Sequence, residues 1–259
     1  MSQGLLQKLP ATVTDDTMDR YYPNDAALTK GHLFLFDPSN PICYPTQATS
    51  MPNLTQLVNL VAGGPNAQCF TATFMTYTGG KGIKFTEATG QISMGTGYDI
   101  GALGNVNFAL SVWLTLPSGG EENTNPFSKL LGRYSSTTVP NLQSGLDSGT
   151  AGKRPRFTAG TSSSSGTSPK TTDITLGVVH HLMGVFENNT MLFYVDGVAQ
   201  GSPVALTGPL ASPAGQSWLI GTWLKGTVFR WSLENLTISG RTGSTAVADE
   251  YAKNVGRYS

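Results

Sequence analysis

Apolar and polar side chains alternate with period two across residues 106–116. Val106, Phe108, Leu110, Val112, Leu114 and Leu116 fall on one side. Asn107, Ala109, Ser111, Trp113 and Thr115 fall on the other. Successive side chains of a strand point to opposite faces, so this run predicts a strand with its even positions on the core. Gly31-His32-Leu33-Phe34-Leu35-Phe36-Asp37-Pro38 is a short apolar run closed by turn chemistry, the pattern of a strand buried on both faces. Residues 178–187 and 191–195 predict a strand pair joined by Asn188-Asn189-Thr190, because asparagine tolerates positive φ. Asp196-Gly197 then supplies a second tight turn. Shorter strands are predicted at 83–85, 91–94, 129–134, 156–159, 218–221 and 228–238. Residues 54–61 fit a short helix or a strand equally well.

Three stretches depart from this rhythm. Residues 1–30 are polar and unpatterned, yet carry Leu5, Leu6, Leu9, Tyr21 and Tyr22. They read as a disordered terminus or as an arm whose large side chains anchor on a neighbouring subunit. Residues 158–172 are almost wholly Thr, Ser, Gly and Ala, which predicts a long mobile loop or a contact loop ordered by a partner. Residues 244–258 predict the one long helix, with Thr245 as its cap and Val247, Tyr251 and Val255 recurring every four residues. About a dozen strands and one terminal helix make an all-β sandwich or jelly roll, with a domain over 31–242 and a helical tail over 243–259.

Composition narrows the chemistry. Only 12% of the 259 residues are charged and the formal net charge is zero, so no basic field exists to draw nucleic acid or an anionic membrane. No apolar run is long enough to span a bilayer, and residues 1–10 have no secretory pattern. Synthesis in a cytoplasm is therefore expected. Cys43 and Cys69 could pair but read better as isolated thiols, and with no CxxC and only three histidines, His32, His180 and His181, no zinc site is expected. Glycoside hydrolysis needs two carboxylates across a cleft, but Glu121 and Glu122 are adjacent, and Asp147, Asp173, Glu187 and Glu234 stand alone. No nucleophile elbow, phosphate loop or zinc-protease motif occurs. Asp37, Asp147, Asp173 and Asp196 could give calcium some of its six to eight oxygens, but no acidic cluster gathers them, so no cofactor is expected. His180 and His181 point to opposite faces of one strand, one ring packed and the other half exposed. Trp218 and Trp223 are candidates for a sugar-stacking surface or for the core.

The order of the segments resembles laminin-G-like, concanavalin A-like jelly rolls. Phe108-Ala109-Leu110-Ser111-Val112-Trp113 is similar to that family's F-x-hydrophobic-x-x-W strand. Gly177-Val178-Val179-His180-His181-Leu182 is similar to its W-H-H strand, with Val179 in place of tryptophan. Leu192-Phe193-Tyr194-Val195-Asp196-Gly197 is similar to its L-Y-V-D-G hairpin. Leu130-Leu131-Gly132-Arg133, Leu219-Ile220-Gly221 and residues 233–238 fall where the remaining strands belong. The resemblance covers about residues 31–242. A polar stretch leading into "GHLFLFDPSN" and a single jelly roll is similar to modules borne by tailed bacteriophages. It implies a non-enzymatic virion structural protein, on the tail, baseplate, collar or capsid surface. The partners it implies are other virion proteins, copies of itself in a homo-oligomer, and a host-surface glycan. Two alternatives stand beside it: a carbohydrate-binding module of cellular origin, and a glycan hydrolase on the same fold.

Overall fold

The computed structural model describes residue 25 and residues 27–78, 81–86, 90–98, 100, 106–117, 130–133, 145–148, 154–161, 165–169, 173–211, 215–221 and 224–258. Among them run β1 (His32–Phe36), β2 (Gln56–Leu57), β3 (Ala67–Phe70), β4 (Met75–Thr78), β5 (Gly82–Phe85), β6 (Gln91–Gly95), β7 (Phe108–Thr115) and β8 (Leu131–Arg133). They are followed by β9 (Gly145–Ser148), β10 (Pro155–Gly160), β11 (Ser165–Pro169), β12 (Val179–Glu187), β13 (Thr190–Val195), β14 (Val198–Ala205), β15 (Trp218–Ile220) and β16 (Gly226–Asn235). The helices are α1 (Leu236–Ser239) and α2 (Gly243–Asn254). None is long and apolar enough to cross a membrane.

Two antiparallel sheets face each other, as an all-β jelly-roll sandwich requires. The first runs β14-β13-β12-β7-β16-β5-β4. β16 is long enough to pair with β5 through Gly226–Val228 and with β1 through Trp231–Glu234. The second runs β11-β10-β9-β8-β15-β6-β3-β2. The even-numbered residues of β7 enter the main core as their alternation predicts, where each large side chain contributes about 1.5–3 kcal/mol by leaving water. Phe108 meets Phe157 of the opposite sheet edge-on at 6.1 Å, and Phe34 meets Trp218 at 5.8 Å.

The turns are also as expected. Asn188 and Asn189 have φ of 51° and 57°, and Asp196 and Gly197 have 51° and 79°. Positive φ at both central residues makes each a primed hairpin turn that matches strand twist.

Several expectations are corrected. Within 158–172, the expected loop is instead most of the β10–β11 hairpin, paired from Arg156↔Pro169 to Gly160↔Ser165. The backbone ladder and the buried Phe157 and Ala159 hold it, so the hydroxyl-rich composition was misleading. Residues 54–61 hold only the two-residue strand β2. The last strand stops at Asn235, whose side chain accepts a hydrogen bond from Ile238 N and so starts α1. The C-terminal helix begins at Gly243 and is capped by Thr242, whose Oγ1 accepts from Thr245 N at 3.2 Å; Thr245 is not the cap. It buries Ala246, Val247, Glu250 and Asn254, while Val255 lies beyond its end and is exposed.

Residues 25 and 27–30, expected to belong to an arm, pack on the sandwich. Ala27 and Leu28 are buried, and Thr29 Oγ1 donates to Glu234 at 2.8 Å. The proposed anchors Leu5, Leu6, Leu9, Tyr21 and Tyr22 lie outside the described residues.

Candidate functional site

The first sheet is covered on its outer face as well. The odd-numbered residues of β7 point there, which is why Ala109, Ser111 and Trp113 are buried although they face away from the main core. Ala109, Met183 and Val185 pack under Leu236, Ala246 and Val247 of the two helices. Where α2 ends, a second aromatic layer takes over. Trp113 stacks on His181 at 4.6 Å and on Tyr251 at 5.8 Å, and Phe229 stacks on Tyr258 at 5.2 Å.

Beneath this layer lies a buried ion cluster. Arg230 is fully buried in β16, and its Nε donates to Glu250 Oε1 at 2.7 Å. Its Nη1 binds Asp25 and lies 3.7 Å from Asp37. Asp37 also accepts from Arg257 Nη2 at 2.8 Å and Tyr258 Oη at 2.9 Å. Burial pushes the Glu250 carboxyl up, but the charge and hydrogen bonds of Arg230 outweigh it and bring its pKa down to about 2. The cluster thereby fixes α2 and the residues after it against the sheet.

Between the end of α2 and the ends of β7, β12 and β16 is a groove of about 770 Å³. Trp113, Phe229 and Tyr258 form its nearly buried floor. Tyr251, Val178, Val179 and Val255 form an apolar rim, on which Val178 is 47% and Val255 52% exposed. Thr115 and Thr227, direct partners across β7 and β16, add two hydroxyls. Lys81 and Asp196 are the only charged side chains in the lining among the described residues.

Asp196 is held from behind. Its Oδ2 lies 2.7 Å from His180 Nδ1, and its Oδ1 accepts from His181 N at 2.8 Å. Burial raises its pKa, but these hydrogen bonds and the nearby histidines lower it by more. His180 Nε2 faces Thr175 O at 2.9 Å. His180 and His181 do point to opposite faces, but both are buried; the expected half-exposed ring is absent.

Among the described residues, the other candidates do not converge on the groove. Trp218 is fully buried and donates to Tyr98 O at 2.7 Å, which makes it core and not a stacking platform. Trp223, Glu121 and Glu122 lie outside the described residues, as do the side-chain surroundings of Asp147. Glu234 binds Arg241, Glu187 accepts from Gly243 N, and Asp173 pairs with Arg154 at 2.8 Å. Ser111 Oγ lies 2.9 Å from His181 Nε2, but both residues are buried and His181 Nδ1 has no hydrogen-bond partner among the described residues. A serine nucleophile needs an exposed hydroxyl and a base oriented by a third group, and this pair has neither. Burial lowers the pKa of His181 to about 4, against the pull of Glu250 and Asp196. Among the described residues no three His, Cys, Asp or Glu side chains gather to hold a metal. Cys43 and Cys69 are free and buried; burial raises both thiols, Cys69 to about 12.

The sequence reading missed Tyr251 as a rim, Thr115 and Thr227 as a pair, and Arg230 as a hub. One signal was visible: Arg230 stands alone between Phe229 and Trp231 inside an apolar run.

A family model described as the concanavalin A-like lectin/glucanases superfamily matches residues 79–246. No curated relative matches the chain. Among solved structures, a Trypanosoma rangeli sialidase is 17% identical with a TM-score of 0.59, covering 88% of this chain and 33% of that one. The chain thus spans about a third of the sialidase's length. Domain 4 of a GH43 extracellular arabinanase from Geobacillus stearothermophilus, solved with arabinotriose, is 14% identical with a TM-score of 0.57. That match covers 85% of this chain and 97% of the domain. The binding domain of botulinum neurotoxin serotype D is 9% identical with a TM-score of 0.58, over 88% of this chain and 52% of that one. At these identities the likeness is one of fold.

Proposed function

We propose that this chain, which belongs to the concanavalin A-like lectin/glucanases superfamily, is a non-catalytic glycan-binding domain carried on a tailed bacteriophage particle. The observation that carries the binding role is the groove itself: a concave site with an aromatic floor, an exposed apolar rim and paired hydroxyls. Sugars offer that combination in reverse, with C–H faces for the rim and hydroxyls for the threonines. The arabinanase domain, matched over nearly its full length, supports the reading as a similar fold that was solved with an oligosaccharide. The non-catalytic part rests on the carboxylates. Asp25, Asp37, Glu234 and Glu250 are committed to arginines, and Asp196 to two histidines. The particle context rests on the segment order and on the polar N-terminal stretch, both similar to phage-borne modules.

Affinity electrophoresis through gels containing host-envelope polysaccharide tests the binding role. The wild-type chain should be retarded, and Tyr251→Ala should lose about tenfold in affinity, or ~1.4 kcal/mol. No reducing ends should be released from the same polysaccharide. Immunogold labelling of purified particles tests the context. Particles without the chain, or steady release of reducing ends, would overturn the corresponding half of the proposal.

A further inference from the structure

Resting on the groove as a glycan site, we infer that its ligand is an uncharged oligosaccharide segment, held by hydroxyl and C–H contacts without an ion pair. Thr115 and Thr227 sit directly opposite each other on adjacent strands. Directly opposite residues place their Cβ atoms about 5 Å apart. Neither hydroxyl has a hydrogen-bond partner among the described residues, and both residues are only half-buried. Each can therefore donate to and accept from a ligand hydroxyl, which suits a sugar ring and not a one-signed group.

The charges agree. A carboxylate-bearing sugar is normally met by arginine, whose fork binds it bidentately. No arginine lines this groove among the described residues. Arg257, which lies in sequence between the lining residues Gly256 and Tyr258, is already bound to Asp37 and Asn254. Lys81 and Asp196 give the lining one formal charge of each sign, so its side chains carry no net charge. An anionic sugar seated here would lay its charge beside apolar Val178 and Val255, which return no hydrogen bond for the water displaced. A neutral sugar meets no such penalty.

The test uses the full chain, maltotriose, cellotriose and arabinotriose as neutral probes, and sialyllactose and trigalacturonic acid as anionic ones. Binding is read by saturation-transfer NMR and calorimetry. At least one neutral trisaccharide should bind, with an affinity that hardly changes between low and high salt. The Thr115→Val/Thr227→Val double variant keeps the shape and removes both hydroxyls; it should bind at least tenfold more weakly. Its melting temperature should match the wild type, and the salt series on the unaltered chain stands if it does not fold. Anionic probes that bind through the same threonines, or binding that salt suppresses, would overturn the uncharged assignment and leave the glycan-site reading intact. Neutral binding indifferent to the double variant would overturn the placement of the ligand. Binding of neither set would overturn the glycan-site reading itself.

Discussion

Gly184 of β12 lies against Phe157 of β10 across the sandwich, so close that a Cβ on Gly184 would stand 2.2 Å from the Phe157 ring. The ring is fully buried and also packs edge-on against Phe108. It has no free space to retreat into. Gly184→Ala should therefore destabilise the fold by about 1–3 kcal/mol, the usual cost of overpacking. Denaturant unfolding would read this as a lower midpoint with an unchanged slope. An unaltered midpoint would mean that the two sheets are not this close.

Arg230→Met should be far more costly than its shape suggests. The replacement leaves Glu250 buried without its cation and Asp25 with only Arg257 Nη1 at 3.8 Å, and stranding a buried charge typically costs about 3–5 kcal/mol. Adding Glu250→Gln to the same chain should restore part of the loss, because one stranded charge is removed. A double-mutant cycle in thermal or chemical unfolding measures that coupling.

Stability should fall as the solution is acidified through the histidine range. Burial holds His181 down at about 4 and also lowers His32, both from an ordinary 6.5. Between those values the unfolded chain takes up protons that the folded chain refuses, so folding loses stability as pH drops from about 6.5 toward 4. The contribution of His181 is on the order of 3 kcal/mol across that window. His181→Gln should flatten the slope there and leave the part due to His32. Below an ordinary 4.5 a second loss begins, as Glu250 is protonated on the way to about 2.

Asp196 serves two purposes, and two substitutions separate them. Alanine removes the acceptor for His181 N and places an ordinary residue at φ of 51°, so Asp196→Ala should cost about 1–3 kcal/mol. Asparagine tolerates that backbone and keeps an acceptor, so Asp196→Asn should cost less. It turns the carboxylate oxygen facing His180 Nδ1 into part of a neutral amide, however, and the His180 ring resonances should shift by NMR.

Much of the sandwich was legible because its signals are local. The period-two run at β7 and the two turns at Asn188-Asn189 and Asp196-Gly197 each declare themselves within a few residues. The hairpin of β10 and β11 did not, because hydroxyl and glycine composition says nothing of a ladder formed by the backbone. The candidate site was almost wholly hidden. Asp25 and Arg230 are 205 residues apart, and Trp113 and Glu250 137, so no window on the sequence joins them. Tyr251 was visible as part of a helical stripe, but helical spacing cannot distinguish a ring that packs inward from one that rims a groove. The cap at Thr242 was misplaced because two of the neighbouring residues, Ser244 and Thr245, are equally good capping types.

The ion cluster around Arg230 has a mechanical consequence. Asp25 sits at one extremity of the described fold, and Arg257 and Tyr258 at the other; all three are tied to the same few carboxylates and guanidiniums. The path of the chain through the domain is thus a closed loop, clasped at one point. Tension applied through both extremities would load this clasp first and leave the strand ladders slack. Because Tyr258 belongs both to the clasp and to the groove floor, such a load would reach the groove before any strand parted.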